Sequence, residues 1–216
     1  MTNVALYANG HLFSLDGTHT PLTKRIATVL GDLDEADFAN LDQFTGRINQ
    51  LGEVAVERNC KLYIDAEQTI IQGAIQSFGQ QMTRRFNQGE NVTIMNGFQC
   101  YLKRMTSTLS MEVRASQVMN FNLGIKLIRG AYMNEERSLA AENGIESPVW
   151  EDIEDTHSCY NDSMEHIIRH MKHTDMLFVA SHNTYTCDLA MQLLTSDLDL
   201  KEKDRVIFGQ LKGFSD

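Results

Sequence analysis

At Gly124-Ile-Lys-Leu-Ile-Arg-Gly-Ala-Tyr132 the chain has the pattern of a short, mostly apolar strand that stops at Gly130. Side chains of a strand alternate between its two faces, so Lys126 shares one face with Ile128, and Arg129 lies on the other. Burying a lone charge is costly, and Lys126 therefore needs an anion or an electron-rich ligand. The stretch predicts a functional strand end within an α/β fold.

Other interpretations of Lys126 are simpler. The stretch also fits an edge strand, or a strand whose lysine forms a buried ion pair with Asp65 or with a glutamate. A further alternative is a barrel enzyme of another kind, in which Lys126 is a Schiff-base nucleophile. The rest of the chain changes the weight of these alternatives.

Helical and extended patterns alternate along the chain. Apolar residues at three- and four-residue spacing predict a helix that begins at Asp34 and a second helix over Ile71–Met82 that closes at Gln88-Gly89. Further helices are predicted over Ser110–Met119, Asn134–Glu142, Asp155–Lys172 and Tyr185–Leu194. Short apolar runs predict strands over Lys61–Glu67, Val92–Tyr101, Gly124–Arg129, Met176–Ser181 and Arg205–Gln210.

Strict alternation of strands and helices predicts a parallel sheet with helical crossovers. Polar residues gather at the carboxyl ends of the predicted strands: Asp65, Glu67, Gln99, Arg129, Tyr132, His182, Asn183 and Gln210. In a (β/α)8 barrel that edge is the catalytic face, and in an open doubly wound sheet it is the ligand crevice. The sequence therefore predicts a ligand site at this edge of the sheet.

Composition excludes several classes of protein. The 216 residues carry a net charge of -10 with 42% hydrophobic and 22% charged residues, which argues against a nucleic-acid partner. No run approaches the ~20 apolar residues of a membrane span, and the N-terminus resembles no targeting peptide. The four cysteines contain no C-x-x-C pair and suggest free thiols. His166, His170 and His173 have metal-like spacing on a face predicted to be exposed, and we expect no metal site.

Five motifs in chain order carry a family resemblance. They are Ile64-Asp-Ala-Glu-Gln-Thr69, Gln99-Cys-Tyr-Leu-Lys103, Lys126-Leu-Ile-Arg-Gly-Ala-Tyr132, Val179-Ala-Ser-His-Asn183 and Phe208-Gly-Gln-Leu-Lys-Gly213. Together they resemble the successive strand motifs of the proline dehydrogenase family, in particular its eukaryotic mitochondrial members. The resemblance extends from about Leu22 to the C-terminus.

The resemblance implies a distorted (β/α)8 barrel that holds FAD at the carboxyl ends of its strands. It also implies oxidation of L-proline to Δ1-pyrroline-5-carboxylate, with hydride passing to the flavin and electrons passing on to a membrane quinone. The expected location is the matrix side of the mitochondrial inner membrane, with peripheral attachment. We accordingly expect residues 1–20 to be a poorly anchored leader that can be disordered and residues 21–216 to be a partial FAD-binding barrel.

The resemblance also implies roles for individual residues. The expected catalytic residues are Asp65, Lys126 and Tyr132, with Lys126 as the cation beside the flavin. Those expected to bind FAD are Ala66, Gly97, Gln99, Lys126, Ile128, Arg129, Gly130, Ala131, Ser181, His182 and Asn183. Those expected around the substrate are Asp65, Tyr132 and Leu211.

The chain also departs from the family pattern. We expect it to be truncated at both ends, with about five of eight strands, and without the last strand and helix that carry the arginine pair for the substrate carboxylate. The pair Arg84-Arg85 is predicted to be solvated and does not replace it. The alternative function is a catalytically silent fragment or interaction module of the same scaffold. Open sheet edges predict self-association.

Overall fold

The computed structural model describes residues 6–8, 11–13, 34–196 and 204–214 of the chain. Seven strands lie within these residues: β1 Leu6–Ala8, β2 His11–Phe13, β3 Leu62–Ile64, β4 Ile94–Gln99, β5 Gly124–Ile128, β6 Met176–Ala180 and β7 Val206–Gly209. Six helices lie between them: α1 Glu35–Glu57, α2 Thr69–Phe86, α3 Met105–Met119, α4 Met133–Glu142, α5 Ile153–His170 and α6 Thr184–Ser196. None of these helices has the length and apolar content needed to cross a bilayer.

Strands β3 to β7 form one parallel sheet in which the spatial order equals the chain order. Each strand therefore pairs with the next one along the chain through a helical crossover, as strict alternation predicts. Strand β5 is central, with β4 on one side and β6 on the other, so the edge-strand interpretation of Lys126 is wrong. The sheet edges in this part of the chain are β3 and β7.

The two faces of the sheet differ in their surroundings. Ile125 and Leu127 of β5 belong to the main apolar cluster, which they share with α5 residues such as Tyr160 and Met164. The opposite face carries Lys126, which is in register with Gly97 of β4 and Phe178 of β6. Crossover helices therefore cover one face, and the Lys126 face is the one available to a ligand.

Helix α1 begins where the sequence predicts, but less of its apolar stripe is buried than the periodicity predicts. Asp34 caps it through a reciprocal pair of hydrogen bonds with Asp37, at 2.9 and 3.2 Å. Ile48 packs against the cluster around Met82, whereas Leu51 is 55% exposed although the apolar periodicity predicts it to be inside. Periodicity identifies a helical stripe but not the share of it that a neighbouring element covers.

The structure departs from the sequence predictions at the start of α3 and at Arg84, and agrees with them at Arg85. Helix α3 begins at Met105 rather than Ser110. Arg84 is wrongly predicted as solvated: burial lowers its pKa, and its Nε and Nη2 atoms are buried without a hydrogen-bond partner. Arg85 is exposed as predicted, and its Nη2 lies 2.6 Å from Glu53.

The predicted leader, residues 1–20, falls mostly outside the described residues. Within it, β1 and β2 pair as an antiparallel hairpin. This hairpin is a sheet of its own, separate from the parallel sheet.

Candidate functional site

Three residues form a row across the sheet, from the carboxyl end of β3 to the middle of β4 and of β5. Asp65 follows β3 directly, Gly97 belongs to β4, and Lys126 of β5 is in register with Gly97. The Nζ of Lys126 donates a hydrogen bond of 2.6 Å to Oδ1 of Asp65. The predicted pairing of Lys126 with Asp65 is therefore confirmed, but the predicted burial of the pair is wrong, because the Asp65 carboxylate is exposed.

Gly97 makes this row possible. A Cβ built at position 97 would lie 2.7 Å from the backbone N of Ala66 and 3.2 Å from the carbonyl O of Ile64. Any side chain there would displace the loop that holds Asp65. The missing side chain lets Lys126 cross the intervening strand.

The Lys126 side chain is flanked by aromatic rings. Its Nζ lies 5.9 Å from the ring centroid of Tyr63, and Tyr63 packs edge-to-face against Phe178 at 5.5 Å. A cation over an aromatic face is weakly stabilised. The Lys126 side chain is 20% exposed and that of Asp65 is 64% exposed, so the pair faces open space.

The loop after β3 is held by contacts from several elements. Backbone N of Glu67 donates to Oε1 of Gln72 at 2.7 Å, and its carbonyl accepts from Nε2 of Gln99 at 2.8 Å. The carboxylate of Glu67 also interacts with the phenol of Tyr132 and raises the pKa of Tyr132. The loop thereby joins β4 and the loop after β5.

Gln99 presents an unused acceptor at this edge. The residue is 3% exposed, and its Oε1 is buried without a hydrogen-bond partner. A buried amide oxygen without a partner costs about 1–3 kcal/mol, which a ligand donor can recover. Ala66, which is 7% exposed, lies beside Gly97 and shares this side of the loop. Both Gln99 and Ala66 were predicted for the cofactor site.

Arg129 is held by neutral groups from three other segments. Its Nε donates to Nδ1 of His157 at 2.9 Å, its Nη1 to Oγ of Ser181 at 2.8 Å and its Nη2 to Oγ1 of Thr186 at 2.9 Å. The guanidinium also lies 4.4 Å from the ring centroid of Tyr160. The sequence predicted Arg129 and Ser181 at the site, and the structure brings them into contact.

Burial and the charge of Arg129 shift the pKa values of the groups around it. Burial lowers the pKa of Arg129. Burial and the adjacent guanidinium lower the pKa of His157, which favours the neutral imidazole that accepts the Nε hydrogen bond. Burial raises the pKa of Tyr160. A guanidinium with four neutral partners remains electrostatically available to an anion.

Gly130 places the backbone next to Arg129 in a conformation that favours glycine. Its φ is +137°, and a Cβ built there would overlap three ring carbons of Tyr101. Both observations exclude a side chain at this position. Ile128, before this turn, is half-buried, and Ala131, after it, is exposed, so the bare backbone is presented at the strand end.

The remaining predicted residues lie after β6 and β7. Oδ1 of Asn183 accepts from the backbone N of Thr186 at 3.0 Å, so Asn183 caps α6. His182 is exposed, and its ring lies 5.7 Å from that of Phe214. Leu211 is 69% exposed. His182 and Leu211 are thus at the predicted edge but lie apart from the row Asp65, Gly97, Lys126.

Sequence reasoning missed several residues of this edge. Glu136, His157, Tyr160 and Thr186 contact the site from α4, α5 and α6. Tyr160 lies within the helix predicted over Asp155–Lys172, and nothing in that pattern marks it as a site residue. No local pattern separates His157 from the other histidines of the same helix.

The known proteins to which this chain is similar are named proline or hydroxyproline dehydrogenases. A family model for proline dehydrogenase matches residues 4–216. Human proline dehydrogenase 1, mitochondrial, is 34% identical over 197 residues, which are 90% of this chain and 32% of that protein. The Arabidopsis thaliana protein of the same name is 38% identical over 180 residues, 82% of this chain and 36% of that protein. Hydroxyproline dehydrogenase of Xenopus laevis is 32% identical over 190 residues, 85% of this chain and 40% of that protein.

Solved structures show the same fold at lower sequence identity. Proline utilization A of Bdellovibrio bacteriovorus, inactivated by N-propargylglycine, superposes with a TM-score of 0.71 at 17% identity, over 80% of this chain and 18% of that one. A structure of proline utilization A with proline bound in remote sites superposes with a TM-score of 0.66 at 13% identity, over 88% of this chain and 20% of that one. The five parallel strands and their helices are part of a (β/α)8-like barrel. The chain spans about a third of the length of the curated relatives it matches.

Proposed function

The chain belongs to the proline dehydrogenase family, and from this premise we propose that it contributes five barrel strands to the FAD-dependent oxidation of L-proline to Δ1-pyrroline-5-carboxylate. We further propose that a quinone accepts the electrons and that the protein acts at the mitochondrial inner membrane. Several relatives are named mitochondrial proline dehydrogenases, which supports the location. When bound, FAD supplies a two-electron acceptor for the hydride that leaves the substrate.

The site residues fit a flavin dinucleotide. The unpartnered Oε1 of Gln99 is a buried acceptor suited to an N–H of a flavin ring. Gly97 and Gly130 leave backbone bare, which allows a flat ring or a phosphate to approach closely. Arg129, surrounded by neutral acceptors, suits a phosphate. We propose these residues, with Ala66, Ile128, Ala131, Ser181, His182 and Asn183, as the FAD contacts.

Lys126 is the residue on which the proposal depends most. A fixed ammonium next to a flavin stabilises the negative charge of the reduced ring and raises its reduction potential. Nζ of Lys126 is engaged as a hydrogen-bond donor to Asp65, which supports the role of a fixed cation over that of a Schiff-base nucleophile. Asp65 fixes the position of the ammonium, and we propose that Asp65, Tyr132 and Leu211 border the proline.

Flavin binding and reduction by proline test this proposal. Purified protein supplied with FAD is expected to hold the flavin, and anaerobic L-proline is expected to bleach its visible absorbance. In Lys126→Met the flavin potential should fall and its reduction should slow by roughly 10²–10³-fold, as on removal of an electrostatic catalytic group. Hydroxyproline, assayed in parallel, tests the preference between the two substrates.

A matched lysine provides the control. Nζ of Lys103 pairs with Glu146 at 2.5 Å, outside the row that contains Lys126. Lys103→Met removes a comparable ion pair and should leave flavin reduction unchanged. Equal reduction rates in the Lys126 and Lys103 variants would remove Lys126 from the mechanism. A protein that binds no flavin would favour the silent interaction module instead.

A further inference from the structure

Glu136 is a buried carboxylate on α4 that the proposed chemistry does not use. It is 2% exposed and accepts two hydrogen bonds from one residue, Thr69, at the start of α2. The backbone N of Thr69 lies 2.6 Å from Oε1, and the Thr69 hydroxyl donates to Oε2. A buried carboxylate is stable only with such charge-assisted partners.

Helix α2 lacks a cap from its own sequence. Gln68 stands at its N-cap position without a side-chain hydrogen bond, and its first turn contains no acidic residue. Glu136 supplies both functions from another helix: it accepts a free N–H of the first turn and places a negative charge at the positive end of the helix. The acid is 67 residues away from Thr69 in the chain.

The contact closes a ring through the two loops of the site. Backbone N of Glu136 donates to the carbonyl of Tyr132 at 2.9 Å, within the first turn of α4. The Tyr132 phenol interacts with the carboxylate of Glu67, which stands two residues before Thr69. The loop that carries Asp65 and the loop that carries Tyr132 are therefore joined twice, once by Glu67 and once by Glu136.

We infer that Glu136 is a positioning residue: it fixes the loop of Asp65–Gln68 against the loop of Gly130–Tyr132 and so sets the spacing of the groups that border the substrate. This inference rests on the proposed function. Glu136 itself is buried behind both loops and acts through Thr69. A misplacement of about 1 Å in groups that hold a substrate can cost roughly 100-fold in rate.

A second buried carboxylate serves as the matched control. Glu112 of α3 is 4% exposed and accepts from Gln76 and Gln80, so it holds the same helix α2 farther along its length. Glu112→Ala is expected to destabilise the protein as Glu136→Ala does, but without a direct effect on the loops. A purely structural role for Glu136 predicts the same behaviour in both variants.

Hydrogen exchange measured by mass spectrometry or NMR gives a readout that does not depend on activity. In Glu136→Ala, exchange at residues 65–69 and 130–132 should rise roughly tenfold, and in Glu112→Ala it should stay as in the wild type. Glu136→Gln should restore protection, because its amide oxygen can accept from the Thr69 N–H and its NH2 can donate to the Thr69 hydroxyl. If Glu136→Ala fails to fold, Thr69→Val, which removes only the hydroxyl contact, should show the same pattern at smaller amplitude.

Kinetics with the FAD-loaded protein give the second readout. The proline KM should rise and kcat/KM should fall roughly 10- to 100-fold in Glu136→Ala, with recovery in Glu136→Gln and normal values in Glu112→Ala. Unchanged loop exchange in Glu136→Ala, or equal increases in the Glu112 and Glu136 variants, would overturn the inference. If the wild type does not oxidise proline, the proposed function fails, while the exchange result still decides whether Glu136 fixes the loops.

Discussion

Lys126 contacts Asp65 across a strand that separates them, and the 2.6 Å ion pair passes over Gly97. Because the Asp65 side chain is 64% exposed, solvent screens this pair, and such pairs contribute only about 0–1 kcal/mol to stability. The pair therefore fixes the position of a charge rather than stabilising the fold. This distinction leads to the first prediction.

Gly97→Ala should separate Asp65 from Lys126. The new Cβ would meet the backbone N of Ala66 at 2.7 Å, and relieving that overlap should cost about 1–3 kcal/mol. Flavin affinity should fall with it, because the same loop borders the proposed flavin. Urea unfolding and flavin titration measure the two effects.

The control for this substitution is Gly46→Ala. Gly46 lies in α1 with nothing within 4 Å of an added Cβ, so alanine there should stabilise the helix by about 0.5–1 kcal/mol. Full flavin affinity in Gly97→Ala would contradict the assignment of Gly97 to the site.

Arg129→Lys tests whether the guanidinium fork or only its charge is required. Lysine retains the cation but cannot donate simultaneously to His157, Ser181 and Thr186. We expect loss of about 1–3 kcal/mol in stability and at least roughly tenfold weaker FAD binding. Arg169→Lys, at an exposed ion pair with Glu165, should change neither quantity measurably. Wild-type FAD affinity in Arg129→Lys would show that charge alone suffices.

Acid should loosen the Arg129 network through His157. The folded state lowers the pKa of His157 below 6.5, so the unfolded chain takes up the proton first as the pH falls. The associated stability is present at neutral pH and is lost as the pH falls through the ordinary histidine range. His157→Gln provides an acceptor for Nε of Arg129 that does not titrate in this range.

The measurement is the free energy of unfolding between neutral pH and about pH 5 in both proteins. The pKa of His166 is also lowered, so the difference between wild type and His157→Gln is the relevant quantity. The decline on acidification should be smaller in His157→Gln than in the wild type. Parallel pH profiles would show that His157 does not titrate with folding.

His182→Ala should weaken FAD retention and leave the rate of flavin reduction unchanged. His182 follows β6, is exposed, and its ring contacts Phe214 rather than Lys126. A contact away from the ion pair suits the dinucleotide better than the reacting ring. Equilibrium dialysis with FAD and single-turnover reduction separate the two effects, and normal FAD retention with lost turnover would reverse the assignment.

The 216-residue chain should self-associate when expressed alone. The sheet edges β3 and β7 carry exposed rings, Tyr63 at 41% and Phe208 at 40%. Unpaired strand edges with apolar side chains favour edge-to-edge pairing. Light scattering after size exclusion should show oligomers, and Phe208→Lys should reduce their size, since edge lysines oppose pairing. A monodisperse monomer would contradict the prediction.

Sequence alone predicts the order of the strands, because each is a short apolar run bounded by polar residues, but it extends β3 three residues too far, to Glu67 instead of Ile64. It does not identify which first-turn acid of α4 is buried. Glu135 and Glu136 are equivalent by sequence pattern, yet Glu135 is exposed and Glu136 is 2% exposed. The difference comes from Thr69, a partner that only the packing of two crossover units brings near. His157 is missed for the same reason.

The agreement between strand order and chain order has a consequence for synthesis. Each new strand of the parallel sheet finds its partner already present in the preceding crossover unit, so the sheet can grow in the direction of translation. Pairing between chain neighbours also keeps loop-closure entropy moderate for a parallel sheet. The Asp65–Lys126 pair can form only after β5 has left the ribosome, and from that moment the nascent chain carries the charged centre of its site.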